Sequence, residues 1–84
     1  MIAQDFDTRI IDLLSIILQM PPEILRDDAS MQTISTWDSL RHMNLIAVLE
    51  DEFDVEIKVS QFARMTSLAG LLKEMRLVLN EKLP

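Results

Sequence analysis

Eighty-four residues hold one domain and one modest core, and a chain this short buries only somewhat more than about 60% of its unfolded surface, so its packing has to be efficient. With 49% hydrophobic residues, one Gly and three Pro, a compact helical domain is favoured over a disordered chain, and the lack of Cys excludes a disulfide framework, a thiolate metal site and a protein thiol nucleophile. The net charge of −6 excludes a nucleic-acid binder, which needs clustered Lys and Arg.

Ile2, Phe6, Ile10, Leu13, Leu14 and Ile17 recur at three- and four-residue spacing and predict an amphipathic helix from about Ala3 to Gln19. Its most apolar run, Ile10 to Leu18, contains Asp12 and Ser15 and falls far short of the roughly 20 residues that cross a bilayer. Asp5 and Asp7 ahead of it carry the wrong charge for an export signal. No membrane span is expected, and a reducing cytoplasm is the compartment that the composition fits. Pro21-Pro22 ends the helix, and Pro22 can start one further turn over Glu23-Ile24-Leu25.

From Arg26 to Trp37 no period holds, and Asp, Ser and Thr side chains that bond their own backbone abound, which predicts a long loop anchored by Leu25, Met31 and Ile34. Asp38 then caps a helix that runs from Ser39 to about Phe53. At 100° per residue Leu45, Ile46, Leu49 and Phe53 form one stripe with His42 on the same side, whereas Leu40, Met43 and Ala47 fall on a second arc beside Ser39. The first stripe is assigned to the core and the second to a partner.

Asp54 to Lys58 alternates like a strand but has nothing to pair with, so it reads as an extended connector anchored by Val55 and Ile57. A short helix with Phe62 follows over Ser60 to Arg64. Thr66 or Ser67 caps the last helix, where Leu68, Leu71, Leu72, Met75, Val78 and Leu79 keep the three-four pattern to about Asn80, and Lys73, Arg76 and Lys82 suit its C-terminal half. The sum is an all-α fold in a single domain, residues 1–84: a small four-helix bundle of three longer helices and one short one, with a long loop between the first two.

Three sharper chemistries fail on spacing. Asp38, Ser39 and His42 lie on one element, whereas a catalytic triad converges from separate ones. The acids from Asp51 to Glu56 put Phe53 where a calcium loop needs a ligand and lack the turn glycine. His42 has no second His or Cys to complete a metal site, and the six Met residues read as packing filler. What remains is a hydroxyl on a helix N-terminus, where free N–H groups and the dipole favour an attached phosphate. Residues 38–56 carry six acids and one base, and residues 57–84 two acids and five bases, so the acidic Ser39 helix suits basic protein surfaces.

Trp37-Asp38-Ser39-Leu40, followed by a helix ending Leu49-Glu50-Asp51-Glu52-Phe53-Asp54-Val55-Glu56-Ile57, resembles the phosphopantetheine-carrying segment of acyl carrier proteins. The resemblance covers nearly the whole chain, including the loop with Asp28-Ala29-Ser30-Met31 and the closing helix after Met65-Thr66-Ser67-Leu68. It implies a stand-alone, monomeric, non-enzymatic carrier whose Ser39 receives 4′-phosphopantetheine from coenzyme A through a phosphopantetheinyl transferase, with acyl groups carried as thioesters on the arm. Asp38 then serves as cap and transferase contact. Leu40, Met43 and Ala47, with Glu50 and Asp51, match the surface by which such carriers dock on basic patches of acyl-transferring, ketosynthase or acyl-activating enzymes, and Trp37, Arg41 and Asn44 border it. Ile57, Phe62 and Met65 lie where family members line the mouth of an acyl pocket.

Many bacterial fatty-acid carriers have Gly two residues before the Asp and acidic residues early in this helix; Thr36, Arg41, His42 and Asn44 stand there instead. That departure implies a carrier dedicated to a secondary or specialised acyl pathway rather than a docking mode borrowed from primary fatty-acid synthesis, within the fatty-acid, polyketide and specialised lipid pathways that such carriers serve. Two alternatives stay open: an aminoacyl or peptidyl carrier loaded by an adenylating enzyme, and an unmodified helical interaction module in which Asp38-Ser39 is only a cap.

Overall fold

The computed structural model describes residues 2–25 and 28–82. The side chains of residues 2–5, Ile2 and Asp5 among them, and of Lys82, and residues 26 and 27 of the loop, lie outside what is described. Among the described residues four helices form: α1 (Ile2–Leu18), α2 (Ser39–Phe53), α3 (Val59–Phe62) and α4 (Leu68–Lys82), with 3₁₀ turns at Pro22–Ile24 and Ala63–Met65. No strand accompanies them in the described residues, only an isolated bridge between Ser30 and Ser67. This is the small all-α bundle that the periodicity predicts. None of the described helices is long and apolar enough to cross a membrane.

α1 stops before its prolines. Gln19 takes a left-handed conformation at φ 57°, its N–H reaching the Ile16 carbonyl at 3.3 Å and that of Met20 the Ser15 carbonyl at 3.1 Å, a Schellman closure built on a residue other than glycine. Ile10, Leu14 and Leu18 of α1 pack with Leu45, Ile46 and Leu49 of α2 and with Leu68, Leu71 and Met75 of α4 in one core. At the other end of α2, Phe6 meets Phe53 edge-on at 5.5 Å, and Arg9 stacks over Phe53 while pairing with Glu52. Arg76 pairs with Asp7 at 2.5 Å, tying α4 to α1.

The loop between α1 and α2 is held by more than the expected anchors. Leu25 and Ile34 are buried and Met31 partly so, but Ala29 and Trp37 are buried as well. The Met31 N–H donates to the Thr66 carbonyl and the Leu68 N–H to the Ala29 carbonyl, both at 2.9 Å, so the loop's backbone finds partners at the start of α4. There Ser67 Oγ caps the helix by accepting the Gly70 N–H at 3.0 Å. Gly70 is obligatory for a different reason: a Cβ on it would stand 2.2 Å from the Arg64 carbonyl oxygen, so only glycine lets the 3₁₀ turn lie against α4.

Candidate functional site

The site is built where the loop enters α2. Asp38 is extended (φ −103°, ψ −178°), and its Oδ1 accepts the Arg41 N–H at 2.9 Å, satisfying one of the leading donors of the helix. Ser39 is therefore the first helical residue and is exposed. The Arg41 guanidinium lies over the same cap, 3.4 Å from Asp38 Oδ2 and 3.5 Å from the Thr36 carbonyl.

From Ser39 onward α2 divides by face. Leu40 is 73% and Met43 51% exposed, and Asn44, Ala47 and Asp51 are exposed too. Leu45, Ile46 and Leu49 are buried. His42, on the inner face as its phase predicts, is 6% exposed. Its Nδ1 accepts the Trp37 indole N–H at 3.1 Å, so the ring proton sits on Nε2, which donates to the Phe62 carbonyl at 3.0 Å.

Trp37 and Glu50, expected on the docking surface, have other placements. Trp37 is 1% exposed and spends its one polar group on His42, so it belongs to the core and is corrected out of the docking surface. Glu50 is half-buried, and its carboxylate accepts the Ile57 N–H at 2.8 Å, which fixes the bend after α2. Ile57 and Met65 are closed into the core, and Phe62 packs partly buried against it.

Glu74, an acid among apolar positions of α4, belongs to no motif and is not among the expected site residues. It is nonetheless buried, its carboxylate accepting from Gln61 Nε2 at 3.2 Å and pairing with Arg64 Nε at 3.3 Å. The signal in the sequence is its spacing: Glu74 follows Leu71 by three residues and precedes Val78 by four, placing it within the buried stripe.

A phosphodiester on the Ser39 hydroxyl would stand against the open N–H groups and positive dipole end of α2, with Arg41 as the nearby cation. The hydroxyl faces solvent at the first position of the helix, so the residues present fit such a group. The protein-family model that matches the chain is that of the phosphopantetheine attachment site, over residues 8–75. A comparison with curated proteins finds no match.

Proposed function

The chain belongs to the phosphopantetheine-attachment family, whose members bear covalent 4′-phosphopantetheine, and from that premise we propose that Ser39 is the attached residue and that residues 1–84 form a single acyl carrier domain. The group supplies a terminal thiol on which cargo is held as a thioester. The chain's own part is to present the hydroxyl, cap the helix beneath it and offer a face to partners. What supports the reading is one conjunction: an exposed serine hydroxyl at the first position of a helix capped by the preceding aspartate, inside the matched segment.

In this reading the domain does no chemistry of its own. Asp38 serves as cap and as a contact for the phosphopantetheinyl transferase. Leu40, Met43, Asn44 and Ala47 form the partner face, bordered by Arg41 and Asp51, and the biosynthetic enzymes that use it bring basic patches to the acidic end of α2. Arg41 and Asn44 set this face apart from an acidic helix start and fit a specialised acyl pathway in the cytoplasm. An Arg41→Glu variant that engages its own partners unchanged would remove that refinement.

The deciding experiment incubates the protein with coenzyme A, magnesium and a phosphopantetheinyl transferase and reads intact mass. The carrier gains the mass of one arm, and an unmodified interaction module gains none. Intact mass of the protein isolated from its own cells then separates acyl from aminoacyl cargo.

A further inference from the structure

α3 is four residues long with Val59 79% exposed, and its apolar hold on the bundle is Phe62, partly buried against the core. Polar groups add a hold on both flanks. From α2, His42 Nε2–H donates to the Phe62 carbonyl while Nδ1 takes the Trp37 indole proton, and both rings are buried. From α4, the buried Glu74 carboxylate holds Gln61 and Arg64 together. Gln61 in turn accepts the Lys58 N–H at 3.0 Å, closing the start of α3 onto the same network. Lifting α3 breaks the His42–Phe62, Gln61–Glu74 and Arg64–Glu74 contacts as a set and strands the buried His42 Nε2–H and the buried Glu74 carboxylate, each of which costs more unmet than its bond contributes when made.

We infer that His42 and Glu74 lock α3 shut against the core, so that the carrier leaves its cargo in solvent and serves short or polar acyl groups rather than long saturated chains. This rests on the reading that Ser39 bears the arm. His42 sits one turn along α2 from Ser39 and faces inward, so the Trp37–His42–Phe62 bridge stands between Ser39 and the interior. Beneath it Leu45, Met65, Leu71 and Met75 are fully buried in one packed cluster. A chain enters only by displacing α3. A long saturated chain refused entry leaves every methylene in water, each unfavourable by about fourfold in the equilibrium. A short or hydrogen-bonding cargo loses little by staying outside.

The test loads the full chain with butyryl- and dodecanoyl-phosphopantetheine from the corresponding coenzyme A thioesters and a transferase. Mass measurement on the wild type and on Ser39→Ala comes first: failure to load, or loading that survives the substitution, removes the Ser39 reading, whereas failure of the lock shows only in the loaded protein. Relative to the same thioesters of free pantetheine, hydroxylamine should cleave the two wild-type forms at rates within about twofold of each other, because no methylenes are sheltered. The methyl resonances of Met65 and Met75 should not move between the two forms.

In His42→Ala the dodecanoyl form should be cleaved about tenfold more slowly than the butyryl form, as burial of only a few methylenes suffices for that. Glu74→Gln, which keeps the side chain's volume and gives up the charge pairing with Arg64, should move the same ratio in the same direction by less. Tenfold protection of the dodecanoyl thioester in the wild type, with Met65 shifted, overturns the inference. So does the absence of any chain-length effect in both folded variants.

Discussion

Leu45, Ile46 and Leu49 on one face of α2 are buried almost completely, while Leu40 and Met43 on the other are more than half exposed. Residue type does not distinguish the two sets; position around the helix does. The inner set meets α1 and α4 and holds the fold, whereas the outer set is apolar surface that the fold does not use. Substitutions should therefore separate stability from partner engagement along a single helix.

The widest gap should come from Leu49→Ala, which removes a fully buried side chain and should lower the unfolding free energy by about 3 kcal/mol in urea titration. A loss below about 1 kcal/mol would mean that the inner face is not the core. Gly70→Ala comes next, with a cost of about 2 kcal/mol, since the new methyl meets a carbonyl oxygen rather than a yielding side chain. That change lies away from α2 and should leave transferase recognition as it is once the protein is folded.

Asp38→Ala stands on the border of the comparison. Loss of its bond to the Arg41 N–H should cost about 1 kcal/mol, and transferase kcat/KM should fall together with stability. Asp38→Asn, which keeps the cap, should recover the stability and expose how much of the kinetic loss belongs to the carboxylate. Gln19→Gly should act in the opposite sense, raising stability by up to about 1 kcal/mol by relieving the left-handed strain at the end of α1. Met43→Ala should be the smallest in stability, within about 0.5 kcal/mol, while weakening enzyme partners through the outer face. A core-sized loss of stability at Met43 would erase the distinction between the two faces.

Much of this division is legible in the residues. The 100° step separates Leu45, Ile46 and Leu49 from Leu40 and Met43, and the Asp-Ser pair marks where α2 begins. The cap and the 3₁₀ turn after Pro21 follow from local chemistry, because their partners lie within a few residues, whereas the placement of the long loop rests on Thr66 and Leu68 at the start of α4. Trp37 and Glu74 depend on polar partners that hydrophobic periodicity does not mark. An indole at the end of a polar loop reads as surface until His42 supplies an acceptor, and an acid on α4 reads as solvated until Gln61 of α3 and Arg64 of the following 3₁₀ turn reach it. Gly70 is opaque for the same reason, since the carbonyl that excludes its Cβ comes from the preceding turn. Membership in the phosphopantetheine-attachment family is legible from Asp38-Ser39-Leu40 in its helical context.

The central claim is that Ser39 at the capped start of α2 bears the arm. Fragmentation mass spectrometry of the protein loaded from coenzyme A by a phosphopantetheinyl transferase tests it at the level of the residue. The account predicts one added phosphopantetheine, located on Ser39 and absent from Ser39→Ala, with Asp38→Asn still loaded. An unmodified Ser39, or added mass on any other residue, would contradict it.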